Sequence, residues 1–438
     1  MKPGLLIYRR ATCIGATLAG WLMCASGIAS ASEPGGAQYK HMGVASCATS
    51  VCHGKLAPQP GKNVALNEYR TWTQEDRHAQ AYRTLELAES KRIAANLGLP
   101  SATTAKICLD CHTDNVASDR RGPKFQVSDG VGCEACHGSA EKWLESHAAG
   151  SATHKDNVTR GMTATEQPLV RAQVCLSCHL GTKDRFATHA IMGAGHPRLS
   201  FELEAYTANQ PAHYTVDADY VQRKGKVEGV NLWLTGQVES TRRMLTLLQS
   251  RMFHAGGMFP ELAFYDCHSC HHPMDKIRWN AQRAGTGIEP GTLRLQTQNL
   301  IVLQAVTETF EPAALPQLVG LTNELIRAGQ QDRTAVATAA KNLLDWLARR
   351  DDLVRRQFSA ADVAKIRKAL LSYAAADKAG DYAAAEQVVL GVESLSYSLG
   401  DRDGKKAALD TLYGAVKSDT NFSPQQFAAA AKSAQRSF

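Results

Sequence analysis

The feature that most constrains this 438-residue chain is a cysteine pair followed directly by histidine, which occurs five times. Four copies read C-x-x-C-H and the first reads C-x-x-x-x-C-H. C-x-x-C-H is the attachment signature of c-type haem, in which two thiols form thioethers with the vinyl groups and the adjacent imidazole supplies an axial iron ligand. The motifs therefore predict five covalently attached haem c groups. The attaching residues are Cys47, Cys52, Cys108, Cys111, Cys133, Cys136, Cys175, Cys178, Cys267 and Cys270, and the iron ligands within the motifs are His53, His112, His137, His179 and His271.

Other cysteine chemistry fits the pattern less well. Thioredoxin-like pairs and zinc knuckles also use C-x-x-C, but neither requires a histidine directly after the second cysteine. Only 15 of the 438 residues are histidine, so five chance occurrences after five cysteine pairs would be improbable. The longer spacer makes the first motif less specific, and a disulfide between Cys47 and Cys52 beside an incidental His53 is the alternative there. We interpret all five motifs as haem sites.

The first 31 residues have the pattern of a secretory signal peptide. A positive start is followed by an apolar stretch and by the small residues Ala29-Ser30-Ala31, which offer a cleavage site. An uncleaved anchor and twin-arginine export are the alternatives. Cleavage would remove Cys13 and Cys24, the two cysteines outside the motifs, which suits an oxidising compartment. We therefore expect a periplasmic protein with no transmembrane span after cleavage of the signal.

Composition divides the remaining chain into two parts. Residues 32–283 contain every motif and every histidine, whereas residues 284–438 contain neither cysteine nor histidine. We predict a pentahaem cytochrome c domain over 32–283, with helices and loops wrapped around the haems and little β structure. Residues 284–438 are predicted to form an all-helical C-terminal domain, since apolar residues recur there at three- and four-residue spacing. The predicted fold class is mainly α.

Local signals place several helices. In the first part, Ser139 is predicted to cap a helix that runs to His147, and Pro197 to open a helix over the next residues. A longer amphipathic helix is predicted from Val230 to Met252. In the second part, Ser359 and the Ser423-Pro424 pair are predicted helix starts.

The sixth ligands of the irons must come from outside the motifs. Ten histidines lie there, and five bis-histidine haems would use five, so the count does not reveal whether one haem is open. The sequence context favours His78, on a predicted helix, and His147, which follows Trp143. Small residues between His189 and His196 would let the backbone approach a ring closely. The remaining candidates are His41, His154, His213, His254, His268 and His272, with Met42, Met192 and Met274 as weaker thioether alternatives.

Three segments resemble multihaem cytochromes of the cytochrome c-554 type, over roughly residues 38–280. They are His41-Met-Gly-Val-Ala-Ser-Cys47 with Cys52-His53-Gly54, Gly130-Val-Gly-Cys133-Glu-Ala-Cys136-His137-Gly138, and Ala194-Gly195-His196-Pro197-Arg198-Leu199-Ser-Phe201-Glu202. The resemblance implies haem packing similar to that of hydroxylamine oxidoreductase. It also implies that the distal ligands are His41, His78, His147, His189 and His196. The chain departs from the pattern in having five sites rather than four and a longer first spacer.

These features predict a periplasmic cytochrome that transfers electrons through closely packed, mainly bis-histidine haems. The alternative is an oxidoreductase acting at one open haem on a small nitrogen or sulfur compound such as hydroxylamine, nitric oxide, nitrite or tetrathionate. The expected partners are other cytochromes or a quinol dehydrogenase, and a homo-oligomer is left open. The formal charge of +7 falls once the signal is removed and haem propionates are added. With no basic tract, nothing in the sequence favours nucleic acid.

Overall fold

The computed structural model describes residues 38–59, 64–150, 152–254, 260–272 and 288–438. It is mainly helical, with 61% helix. The β pairing within the described residues is confined to two isolated bridges, His41 with Arg121 and Tyr265 with Leu295. The mainly α prediction is thus confirmed. In these stretches no helix combines the length and the apolar character that crossing a bilayer requires. The predicted signal peptide lies outside the described residues.

The motif-bearing part is built from short helices of 4 to 12 residues. Isolated helices of this length are marginal in water, so they depend on tertiary packing. They are α1 (Glu68–Glu75), α2 (Ala81–Thr84), α3 (Ala88–Asn96), α4 (Lys106–His112), α5 (Cys133–His137), α6 (Leu144–Ala148), α7 (His154–Thr159), α8 (Pro168–His179), α9 (His189–Gly193), α10 (Leu203–Asn209) and α11 (Ala218–Lys224).

Longer helices follow. They are α12 (Gly229–Leu248), α13 (Gln298–Phe310), α14 (Leu315–Ala328), α15 (Arg333–Ala348), α16 (Ala360–Ala375), α17 (Tyr382–Ser398), α18 (Lys406–Ala415) and α19 (Pro424–Ala434). Short 3-10 helices lie at Val44–Ser46, Arg77–Gln80, Ser118–Arg120, Val127–Asp129, Ala140–Lys142, Arg251–His254, Leu262–Phe264, Cys267–Ser269, Pro312–Ala314, Leu353–Arg355, Asp403–Lys405 and Gln435–Ser437.

The main hydrophobic core surrounds α12. Its Trp233 side chain is fully buried and packs in one cluster with side chains from α13 to α19. Gly391 on α17 makes this packing close, because a Cβ there would lie 3.0 Å from Nε1 of Trp233. The cluster also includes Phe264 and Tyr265. The core therefore combines residues from both sides of residue 283, the predicted domain boundary.

The segment before α10 is tied to α17 by polar side chains. Glu386 on α17 accepts hydrogen bonds from Arg198 at 2.9 Å and from Ser200 at 2.7 Å. Gln387 on the same helix donates to the carbonyl oxygen of Phe201 at 3.0 Å. These bonds hold the chain that follows His196 against the C-terminal helices.

Most local predictions agree with the structure. Ser359 caps α16 in a capping box with Asp362, and Ser423 caps α19 with Pro424 at its first position. The long helix predicted from Val230 is α12, which ends at Leu248, before the predicted end. The helix predicted to reach His147 is interrupted at Trp143.

The helix predicted to open at Pro197 was wrong. Residues 197–202 are not helical, and α10 begins only at Leu203, where the Glu202 side chain caps it. The tertiary hydrogen bonds from Arg198 and Ser200 to α17 override the local signal, because they require an extended chain.

Candidate haem sites

The motif cysteines and histidines lie at the ends of short helical turns. Helices α4, α5 and α8 each end at the motif histidine. The last motif forms the 3-10 turn Cys267–Ser269, and the N–H of His271 donates to the carbonyl of Cys267 at 2.8 Å. After α5 the chain turns away at Gly138, whose φ of 79° is a conformation that glycine adopts without strain. In this arrangement each histidine follows its thiol pair at the exit of a turn.

The ten thiols are unpaired in the structure, and nine of them are half-buried. The thiols of Cys47 and Cys133 lie close enough to shift each other's pKa, which falls for Cys47 and rises for Cys133; the pKa of Cys178 likewise falls and that of Cys111 rises. The first motif is therefore adjacent to the third, and the second to the fourth. Burial raises the pKa of Cys136 to about 12 and that of Cys175 to about 11, so these two sulfurs lie in apolar surroundings.

Every motif histidine faces a second histidine from elsewhere in the chain. The five pairs have ring centroids 6.0 to 6.3 Å apart. The angle between the ring planes ranges from 10° to 90°. The pairs are His53 with His147, His112 with His196, His137 with His213, His179 with His78, and His271 with His189.

This spacing fits a metal ion between two imidazoles. Two metal–nitrogen bonds of about 2 Å, together with the half-widths of two five-membered rings, give a centroid separation of roughly 6 Å. Rings in direct stacking contact lie closer than this, as His179 and Phe201 do at 4.7 Å. The described residues thus fit a group with iron at its centre and two axial imidazoles.

Several rings are oriented by a hydrogen bond at Nδ1. Nδ1 of His53 lies 2.9 Å from a carboxylate oxygen of Glu68, and that of His78 lies 2.9 Å from Asp76. These bonds raise the pKa of each histidine. Nδ1 of His112 and that of His196 lie near the backbone carbonyls of Ala81 and Pro197, at 3.0 and 2.8 Å. In none of the four rings does Nε2 form a hydrogen bond with a residue that the structure describes, and a histidine held at Nδ1 with Nε2 free is the usual arrangement of a metal ligand.

Burial keeps two motif histidines neutral. It lowers the pKa of both His137 and His179 to about 4. A neutral imidazole offers a lone pair, and metal binding requires that form.

Two histidines are placed differently from what the resemblance implied. His41 faces no motif histidine; it is buried, and its Nδ1 lies 2.6 Å from Asp114. His213 stands opposite His137 instead, in the segment between α10 and α11. No local sequence signal distinguishes His213 from the other nine histidines outside the motifs. Its pairing depends on long-range folding.

Other histidines use the nitrogen that a metal would need. Nε2 of His154 lies 2.8 Å from Glu166, and Nε2 of His268 lies 2.7 Å from the carbonyl of Asp419. Neither ring faces a motif histidine. In both rings Nε2 is engaged with the protein.

One protein family shows similarity to part of the chain. No curated protein and no solved structure matches the chain. Residues 46–138, which include the first three motifs, match the model of the family described as cytochrome c554 and c-prime. Proteins of this kind hold haem c covalently and serve in electron transfer or haem-based redox chemistry. Over residues 46–138 the chain is therefore similar to c-type cytochromes of the c554 type.

Proposed function

We propose that the protein is a periplasmic electron carrier with five haem c groups, each held between two histidines. The proximal ligands are His53, His112, His137, His179 and His271, and the distal ligands in the same order are His147, His196, His213, His78 and His189. The observation that carries the proposal is the separation of 6.0 to 6.3 Å in all five ring pairs. In this assignment His213 takes the role that the resemblance gave to His41.

A set of five paired histidines favours a carrier over a catalyst. Haem supplies one-electron chemistry, and a catalyst that acts on a small molecule at iron needs an open axial position. Here a second imidazole stands opposite every motif histidine. The contacts between Cys47 and Cys133 and between Cys111 and Cys178 keep neighbouring sites close, as electron transfer along a chain of haems requires.

The residues around the pairs tune and orient the imidazoles. Carboxylates hydrogen-bonded to His53 and His78 increase the basicity of these rings and fix their orientation. Aromatic side chains pack beside two others: Phe201 stacks on His179, and Trp143 meets His147 edge to face at 5.8 Å. These contacts limit rotation of the rings and exclude water from one side of each pair.

The cellular setting follows from the N-terminal pattern and the family. Export by a cleaved signal peptide would place the chain where haem c attachment and redox partners occur. We propose that the partners are other cytochromes or a quinol dehydrogenase. The oligomeric state is not part of the proposal.

The haem count and the ligand assignment can be tested together. Pyridine haemochrome analysis with intact mass should give five covalent haems on a chain that begins near Ser32. A count of four would remove the Cys47–Cys52 site. Electron paramagnetic resonance of the ferric protein should then compare His213→Ala with His41→Ala, because these residues distinguish the two ligand sets.

We expect His213→Ala to convert one low-spin haem to high spin without loss of covalent attachment. His41→Ala should leave the low-spin signals intact, since its ring is hydrogen-bonded to Asp114. His154→Ala is a matched control for loss of a partly buried histidine that is hydrogen-bonded to a carboxylate. The opposite result, with high-spin haem in His41→Ala only, would overturn the assignment of His213.

A further inference from the structure

The five distal histidines are not held equally by the backbone. The N–H of His78 donates to Asp76 at 2.9 Å, and that of His147 donates to Trp143 at 2.8 Å. The N–H of His189 donates to Glu261 at 2.7 Å, and that of His196 donates to Ile191 at 3.2 Å. His213 makes no hydrogen bond, through either its backbone or its ring, to any residue that the structure describes.

The whole segment around His213 lacks regular support. Within the described chain, residues 211–216 form no backbone-to-backbone hydrogen bond. The segment is fixed at its ends, where Gln210 donates to Asp76 at 2.9 Å and Asp217 caps α11. Segments with few backbone hydrogen bonds and exposed residues open at low free energy. His213 is thus the distal histidine that local motion can most easily move.

The side chains beside His213 make contacts that do not depend on its ring. Tyr214 stacks on Tyr220 at 5.7 Å, and the guanidinium of Arg171 lies 5.9 Å from the Tyr214 ring. Arg171 also donates to the Tyr214 hydroxyl oxygen at 3.4 Å, which leaves the hydroxyl hydrogen available to another acceptor. Since Tyr214 is 41% exposed, small molecules can reach this side from solvent.

We infer that His213 is an exchangeable ligand and that the site of the third motif binds a small diatomic molecule such as carbon monoxide or nitric oxide. This inference rests on the proposed ligand pairs. In the exchange His213 leaves as a neutral imidazole with its lone pair, and the incoming molecule donates its own pair, so no electron is gained or lost. The Tyr214 hydroxyl donates a hydrogen bond to the outer atom of the bound molecule.

His189 is the competing site, because its side chain is exposed. Its backbone, however, lies at the start of α9, where the Thr188 side chain accepts from the N–H of Ile191 and Glu261 accepts from His189 itself. Displacing the backbone of His189 would therefore break the hydrogen bond to Glu261 and disturb the cap of α9. Moving His213 breaks no hydrogen bond among the described residues.

The test is carbon monoxide titration of the dithionite-reduced holoprotein, followed by Soret absorbance. We expect the wild type to bind one carbon monoxide per chain. His213→Ala should also bind one, about tenfold faster or more, because a displaced state of a loop ligand is populated at about 10% or less. His196→Ala, which removes a helix-supported ligand, should bind two.

Two outcomes overturn the inference. One is that the wild type binds no carbon monoxide. The other is that His213→Ala binds two molecules per chain, the first of them at the same rate as the wild type. A wild type that binds none while retaining five low-spin haems leaves the proposed function intact. Tyr214→Phe provides a second readout that keeps the ligand pair. It should speed carbon monoxide dissociation several-fold, whereas Tyr220→Phe should not; equal rates in the two variants would contradict the donor role of Tyr214.

Discussion

The two regions of the molecule build their interiors by different means. From residue 229 onward, α12 to α19 share one large cluster of buried apolar side chains, with Trp233 and Trp346 among the largest. We call residues 229–438, which include the fifth motif, the C-terminal region, and the residues before them, which include the first four motifs, the motif-bearing region. Among the described residues of the motif-bearing region, the apolar clusters are small; one consists of Leu85, Ala94 and Ala102. A region of similar size with so little apolar core of its own must obtain its interior from something else.

This difference explains why the helices differ in length. Burial of apolar surface stabilises by about 25 cal/mol per Å², and long amphipathic helices bury enough of it to support one another. Short helices such as α5, with 5 residues, bury too little apolar surface to support one another in this way. Large flat cofactors at the first four motifs would supply the missing apolar surface, and covalent attachment would hold them where the chain has few contacts of its own. The motif-bearing region is therefore a scaffold for haem, and the C-terminal region is a conventional helical fold.

Production of the chain without haem tests the difference between the two regions most directly. We expect residues 64–224 to lose their structure, because their interior is provided by the cofactors, while residues from α12 onward keep theirs. Hydrogen exchange followed by mass spectrometry should show rapid exchange in α1 to α11 and protection in α13, α16 and α17. Far-UV circular dichroism should still show substantial helix.

The holoprotein under the same conditions is the control, with protection in both regions. Persistent protection of α4, α5 and α8 in the haem-free chain would mean that the motif-bearing region has a sufficient core of its own. The comparison between the two regions would then fail.

A cavity in the core of the C-terminal region should affect stability but not the haem sites. Trp233→Ala removes a fully buried ring from the second turn of α12 and should lower the free energy of unfolding by about 3–5 kcal/mol. Guanidinium denaturation followed by far-UV circular dichroism measures this loss. Because the ring packs among apolar side chains rather than beside a histidine pair, the Soret spectrum of the folded variant should not change.

Tyr397→Ala is the matched control on α17, since this side chain is 65% exposed. It should change the free energy of unfolding by less than about 0.5 kcal/mol. A loss below about 1 kcal/mol in Trp233→Ala, or a shifted Soret band, would show that the two interiors are not separate in the way described.

The sequence predicted the helices of the C-terminal region better than the ligand pairs of the motif-bearing region, because the helices depend on local signals and the pairs on long-range contacts. In the C-terminal region, helix starts at Ser359 and Ser423 are local signals, and local signals suffice when each helix packs by its apolar face. The motif histidines were also predicted from a local signal, since each directly follows a cysteine pair. His213, and not His41, lies opposite His137, and this pairing is a long-range contact. The chain at Arg198 is extended because Arg198 is hydrogen-bonded to Glu386 on α17. Neither can be read from neighbouring residues.

Glu202 is buried at the junction between the two regions. Its carboxylate accepts from the N–H groups of Glu204 and Ala205 and from the Ser394 hydroxyl of α17. Burial outweighs these bonds and raises the pKa of Glu202 from the usual 4.5 to about 7. The folded state therefore binds a proton that the unfolded state has released, so stability falls as pH rises from about 4.5 to about 7. The largest contribution this shift allows is about 3 kcal/mol.

Glu202→Gln keeps an uncharged acceptor at the junction and should remove this part of the pH dependence. The measurement is the free energy of unfolding by guanidinium at pH 4.5, 6 and 7.5 for both proteins. The difference between variant and wild type should move in favour of the variant as pH rises. Glu324→Gln, on an exposed position of α14, should follow the wild type throughout. A constant difference between Glu202→Gln and the wild type would mean that the Glu202 carboxylate is charged in the folded protein. The hydrogen bonds from Glu204, Ala205 and Ser394 would then outweigh the cost of burial, and the two regions would be joined through a charged group rather than a neutral one.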